Sequence, residues 1–178
     1  MIILMGMPGS GKGTQGKMLA ETFGFQYVST GEMLRHYATH DQIARMNKGE
    51  LLNDQEMMTM IEAVLGTAAD PNKILLDGFP RSVPQADWLL EQIAEDGFKI
   101  DHVFHLVVPQ EVVHDRLLRR GRDDDTEESM IHRFEFYNAI TLPILDFFKS
   151  KNIPVYDVNA AQTPEMVHEE IKPYLTQA

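Results

Sequence analysis

Residues 6 to 15 read GMPGSGKGTQ. Gly6, Gly11 and Lys12 satisfy the pattern G-x-x-x-x-G-K, with Gly9 as an extra glycine. Glycines at this spacing let backbone amides approach an anion, and the lysine that closes the loop reaches the outer phosphates of a nucleotide. The general pattern continues with Ser or Thr, whose hydroxyl holds a metal ion. Here Gly13 takes that place and the hydroxyl comes one residue later, at Thr14. A structural glycine turn before a helix is the plain alternative. The apolar run "IILM" before the loop and the helical pattern after it favour a phosphate site, because a strand feeds it and a helix N-terminus backs it.

Two further groups carry chemistry. In "LLDGFPR" (75–81), Asp77 ends a buried apolar run. A carboxylate at the carboxyl edge of a parallel strand lies where open α/β sheets bind ligands, and it can orient Mg²⁺ through water. A helix N-cap is its structural alternative. Arginines form the other group: Arg35, Arg81, Arg116, Arg119, Arg120, Arg122 and Arg133 make seven of the sixteen basic residues. Guanidinium groups grip phosphate in a bidentate way and stabilise charge on a moving phosphoryl group. For "RRGRDDD", a solvated cluster paired with Asp123, Asp124 and Asp125 is the alternative. No G-x-S-x-G elbow and no H-E-x-x-H pair occurs, and His102 and His105 read as packing or surface residues.

The elements that must position these groups are short apolar strands and amphipathic helices. Strand patterns cover 2–5, 26–28, 73–77, 102–108 and 154–158. Helical patterns cover Lys12–Phe23, Asp54–Leu65, Val83–Glu95, Gln110–Leu118, Glu127–Lys149 and Pro164–Tyr174, with Thr163 as an N-cap. Continuous apolar strands between helices predict an α/β fold, a five-stranded parallel sheet flanked by helices. Residues 30–66 carry helical patterns with no strand and predict a small helical lobe. Residues 119–126, "RRGRDDDT", have no apolar face and predict a short lid.

Composition bounds the rest. A chain of 178 residues with 43% hydrophobic residues is expected to form one domain with a substantial core. The absence of cysteine excludes disulfides and thiolate metal sites. No secretory leader or membrane span is readable, so a cytoplasmic location is expected. A net charge of −11 argues against a duplex-binding surface, so neither nucleic acid nor membrane is expected as a partner.

Five segments in order, "GMPGSGKGTQ", "STGEMLR" (29–35), "GELLND" (49–54), "LLDGFPRSVPQA" (75–86) and "RGRDDDTEESMIHRF" (120–134), resemble the adenylate kinases, nucleoside monophosphate kinases of the short-lid type. In that family the Gly-Lys-Gly-Thr ending of the loop is normal. The resemblance implies a P-loop NTPase-like fold and reversible, Mg²⁺-dependent phosphoryl transfer from ATP to AMP. It implies a core of residues 1–29, 67–118 and 127–178, an acceptor-binding lobe at 30–66 and a short lid at 119–126.

By the same resemblance, Lys12 and the amides of Gly9, Gly11, Gly13 and Thr14 hold the donor phosphates. Arg116 packs on the donor adenine. Arg35 and Arg81 grip the acceptor phosphate, beside Gly78, and Thr30 and Gln85 contact its adenine. Arg120, Arg122 and Arg133 gather at the transferring group, with Asp124 and Asp125 as the acidic pair of the lid. Asp77 orders hydrated Mg²⁺. No zinc is implied, since long-lid relatives that hold it use four side chains and this short loop has no cysteine. A monomer is implied.

Two departures bear on acceptor choice. Only thirteen residues, "HYATHDQIARMNK", separate "MLR" from "GELL", fewer than is usual in the family. "GELLND" also replaces a stretch that often carries valine with proline or threonine. A UMP/CMP or broad-specificity kinase is therefore the alternative within the class, although Gln85 favours adenine, since pyrimidine-using relatives usually have asparagine there. A non-catalytic nucleotide-binding relative would have lost Lys12, Asp77 or the lid arginines. A P-loop GTPase would want Ser or Thr at position 13.

Overall fold

The structure, a computed structural model, describes residues 1–37, 39–40, 44, 53–95 and 97–176. Five strands form one parallel sheet: β1 (Ile2–Met5), β2 (Gln26–Ser29), β3 (Ile74–Asp77), β4 (His102–Val107) and β5 (Val155–Asn159). Their spatial order is β2-β3-β1-β4-β5. From β1 the chain crosses to the edge strand β2, returns to β3 beside β1, and then adds β4 and β5 on the other side. That reversal opens a crevice beyond the carboxyl ends of the central strands. The register places Leu4 and Ser29 beside Asp77, so the ends of β1, β2 and β3 open together on that crevice.

Eight α-helices are present among the described residues: α1 (Lys12–Phe23), α2 (Thr30–Tyr37), α3 (Asp54–Thr67), α4 (Val83–Glu95), α5 (Gln110–Arg120), α6 (Glu127–Phe136), α7 (Pro143–Ser150) and α8 (Pro164–Thr176). None is long and apolar enough to cross a membrane. Strand side chains alternate between the two sheet faces. Ile3, Ile74, Leu76 and Val103 pack against Met57, Ile61, Leu89, Ile93, Ile144 and Phe148 of α3, α4 and α7. Ile2, Leu4, Leu75, Phe104 and Leu106 pack against Leu19, Val113, Leu117, Met130, Phe134, Val167 and Ile171 of α1, α5, α6 and α8. Each such side chain contributes roughly 1.5–3 kcal/mol when fully buried. Asp77, two residues past Leu75, shares the parity of the α1 face.

Helices α1 and α4 have the expected bounds, and the strands differ by one residue at most at either end. The stretch 127–149 does not form one helix. It is broken by a π-helical turn over Tyr137–Thr141, where Leu142 N–H donates to the Tyr137 carbonyl at 2.8 Å. Pro143 explains the break: it lacks an N–H and its ring crowds the preceding turn, so the backbone widens before α7 begins. The widened turn sends Thr141 to the Arg81 carbonyl at 3.0 Å. Pro109 stands at the N-cap of α5. Most of "GELLND" (49–52) and most of the shortened spacer lie outside the described residues, and so does much of the small helical lobe expected at 30–66; α2 and α3 are the helices described within it.

Candidate functional site

The crevice at the sheet edge is a cleft of about 630 Å³. The loop 6–11 forms one wall. Gly11 is the N-cap of α1 with φ 104°, a left-handed conformation that suits only glycine well, and it brings no side chain to cap the helix. The first helical bond runs from Gln15 N–H to the Gly11 carbonyl at 3.0 Å. The amides of Lys12, Gly13 and Thr14 therefore lack intrahelical acceptors and are available to an anion, with the positive end of the helix dipole behind them.

Lys12 is folded back against its own loop. Its ammonium donates to the carbonyls of Gly6 at 2.7 Å and Met7 at 3.0 Å. Burial pushes it down to about 8; Asp77 pulls it back up, and Arg81, Arg120 and Arg133 push it further down. An arriving phosphate would replace two neutral acceptors by a charged one.

Asp77 is buried at the end of β3, and its Oδ2 accepts a 2.7 Å hydrogen bond from the hydroxyl of Tyr27. Burial and the Asp77 charge push the Tyr27 phenol far up, so it remains the donor. The other oxygen, Oδ1, accepts no hydrogen bond among the described residues. The ring of Tyr27 lies flat on α1: a Cβ at Gly16 would collide with it. A Cβ at Gly13 would sit 3.5 Å from the Tyr27 hydroxyl and 3.9 Å from Asp77 Oδ2. The tyrosine hydroxyl thus fills the space toward which a residue-13 side chain would grow. Sequence reasoning missed Tyr27; the only local signal was the glycine pair three residues apart on α1, which leaves room for a ring.

The arginines arrive from five parts of the chain. Arg35 comes from α2, Arg81 from the turn after β3, Arg116 and Arg120 from α5, Arg122 from the charged segment and Arg133 from α6. All six line the cleft; Arg119 does not. Arg81 Nε donates to the Gly78 carbonyl at 2.6 Å, which holds the side chain over the turn. Arg116 donates to the Ala160 carbonyl at 2.9 Å. Arg120 grips Asp125 through two bonds of 2.8 and 2.5 Å, and Arg133 reaches Asp125 and Asp124 at 3.0 Å each. Burial pushes the Asp125 carboxyl up, but hydrogen bonds from Arg120 and Arg133 outweigh it and hold it below the usual carboxylate range. The Nε of Arg133 is buried with no partner among the described residues. Neither the Arg35 nor the Arg122 guanidinium is in a salt bridge among the described residues, although the Arg122 backbone N–H donates to Asp125 Oδ2 at 3.2 Å.

On the wall formed by α2, α3 and α4, Gln85, Leu34 and Met57 line the cleft, and Gln85 is 3% exposed. Thr30 does not line it. Thr30 is fully buried and donates to the carbonyls of Gly78 at 3.0 Å and Asp77 at 3.3 Å, so it braces the turn that presents Arg81. Gly9, Gly11, Gly13, Thr14, Asp77 and Gly78 all line the cleft. Of the residues singled out in the sequence, Thr30, Arg119 and Asp125 do not line the cleft.

This arrangement can bind a chain of phosphates on amides and Lys12, bring a second phosphate to Arg35 and Arg81, and stabilise charge between them with Arg120, Arg122 and Arg133. A family model described as adenylate kinase matches residues 4–153. An adenylate kinase of Porphyromonas gingivalis is 37% identical over 97% of this chain and 93% of its own length. Adenylate kinase 1 of Synechocystis sp. is 39% identical over 93% of this chain and 91% of its own length. An adenylate kinase of Prochlorococcus marinus is 36% identical over 96% of both chains.

Proposed function

The chain belongs to the adenylate kinase family and is a phosphotransferase, and from that premise we propose how its residues divide the work. ATP lies with its phosphates on the amides of Gly9, Gly11, Gly13 and Thr14 and on Lys12, and with its base against Arg116. AMP lies with its phosphate between Arg35 and Arg81 and its base at Gln85. An AMP oxygen attacks the γ-phosphorus, the bond from that phosphorus to the bridging oxygen of ADP breaks, and two ADP result. The attacking phosphate oxygen is already unprotonated near neutral pH, so no general base is needed. Catalysis is positioning and charge stabilisation by Arg120, Arg122 and Arg133.

Adenylate kinases work with Mg²⁺ and ATP. Asp77 suits a hydrated cation: it is one carboxylate with one oxygen unbonded among the described residues, too few ligands for an all-protein cage. Bound there, the ion would neutralise phosphate charge. Tyr27 would keep the carboxylate in one rotamer while its free oxygen takes the water. Residues 30–66 close over AMP and 119–126 over ATP, which excludes water from the reacting phosphates. The further reading of a zinc-free monomer working in the cytoplasm rests on the family resemblance.

The observation that carries this reading is the convergence of Lys12 and six arginines on one cleft of a protein with net charge −11. The test is transfer from MgATP to AMP, dAMP, CMP, UMP and GMP, with the diphosphates separated by chromatography. AMP-dependent ADP formation is expected to dominate. Preferred turnover of CMP or UMP would overturn the assignment of Gln85 to adenine.

A further inference from the structure

Gln85 lines the cleft, yet both ends of its amide are held. The backbone N–H of Arg81 donates to its Oε1 at 2.7 Å, and its Nε2 donates to Asp54 Oδ1 at 2.8 Å. The chemistry of the partners fixes which end is which. A backbone N–H only donates, so oxygen faces it; a carboxylate only accepts, so the NH2 faces it. Asp54 is itself anchored. It is the first residue of α3, directly behind a capping box in which Asn53 and Glu56 bond reciprocally at 2.9 and 3.0 Å. The Ser82 hydroxyl stands 3.1 Å from both its oxygens and also accepts the Gln85 N–H at 3.3 Å.

One Nε2 hydrogen and one Oε1 lone pair remain on Gln85, side by side. The six-membered edge of adenine offers an amino donor at N6 and an acceptor at N1, which complements that pair. Guanine offers the reverse, an acceptor at O6 and a donor at N1. In the same placement guanine would need the amide turned end for end. The turn would set the Gln85 carbonyl against the Asp54 carboxylate and its NH2 against the Arg81 N–H. Two hydrogen bonds would be lost and two repulsive contacts made.

We propose that Asp54 is a specificity-determining positioning residue, which locks the Gln85 amide in the sense that accepts adenine and refuses guanine. It acts through Gln85 and need not touch the substrate. The inference rests on the reading above that Gln85 faces the acceptor base.

The test compares kcat/KM for AMP and GMP in wild type, Asp54→Ala, Asp54→Asn and Gln85→Ala. Asp54→Ala should lower the AMP-to-GMP ratio by about tenfold, the loss of one charge-assisted hydrogen bond, with KM for MgATP unchanged. Asp54→Asn keeps the shape, but its own amide can turn together with that of Gln85, so its ratio should fall between the two. If Asp54→Ala does not fold, the ratio in Asp54→Asn decides. Equal losses for AMP and GMP, with the ratio unchanged, would make Asp54 a packing residue only and overturn the proposal. Gln85→Ala separates the two levels. If it collapses the ratio while the Asp54 variants do not, only the role of Asp54 fails. If it too leaves the ratio untouched, the underlying reading of Gln85 fails with it.

Discussion

The phosphate loop and the charged segment after α5 bring cations to the same cleft and restrain them by opposite means. In the loop, Lys12 rests on two neutral carbonyls, those of Gly6 and Met7. At the charged segment, Asp124 and Asp125 clamp Arg120 from the end of α5 and Arg133 from α6. A phosphate that reaches Lys12 displaces nothing charged, only two neutral carbonyls. The arginines keep their geometry with no ligand present, because the carboxylates stand in for part of the phosphate charge. They still hold donors in reserve, including the buried Nε of Arg133. The loop is a backbone device, whereas the charged segment is an electrostatic one.

The largest expected effect breaks the loop side. Lys12→Met keeps the apolar stem and removes the charge. Turnover should fall by about 10³-fold, as for other lost transition-state contacts to charge. The melting temperature should hold or rise, because the ammonium is disfavoured by burial in the folded protein. A wild-type rate, measured as ADP formation, would remove Lys12 from the chemistry and end the comparison.

The second effect breaks the other side. Asp125→Asn should cost about 10²-fold in turnover and, unlike Lys12→Met, lower the melting temperature, since two guanidinium groups lose a shared charge. The sign with pH follows from the depressed carboxyl of Asp125. Its stabilisation is complete above the unfolded value of about 3.9 and is lost as pH falls through the lower folded value. Wild type and variant should therefore differ in stability at pH 7 and converge in strong acid. Equal melting temperatures at pH 7 would show that the clamp is only a surface ion pair.

A smaller effect sharpens the contrast. Lys12 is near 8 in the free protein, and a bound triphosphate would raise it. Below pH 8 the lysine is already charged and ATP affinity should be flat with pH. Above pH 8 binding must recruit a proton, so affinity should fall by about tenfold per pH unit until the value in the complex is reached. Titration of ATP binding by calorimetry between pH 7 and 9.5 checks this. A flat profile would mean that the carbonyls of Gly6 and Met7 hold the lysine charged.

Much of this was legible in residue order. The bounds of α1 and α4 follow from local patterning, and the buried strands from continuous apolar runs. The loop and the arginines were visible because their chemistry requires particular residue types at short spacings. Three things were not. Pro143 sits inside an otherwise helical pattern, and only packing decides whether proline ends a helix or widens it; here it widens it at Tyr137–Thr141. Thr30 carries a polar side chain next to the site, but burial turns it to the carbonyls of Asp77 and Gly78. Tyr27 and Asp54 look like ordinary strand and helix-start residues, and their partners lie 50 and 31 residues away.

By itself, then, the sequence determined the class of chemistry, since glycine spacing, a loop lysine and arginines in an acidic chain are local and compositional facts. The tertiary structure alone decided which side chains restrain the reacting ones. Tyr27 meets Asp77 because β2 pairs with β3 in register, and Asp54 meets Gln85 because α3 packs beside α4. Such contacts join residues far apart in the chain, and no periodicity encodes them; they exist only once both sheet faces have been covered and the cleft between them has formed.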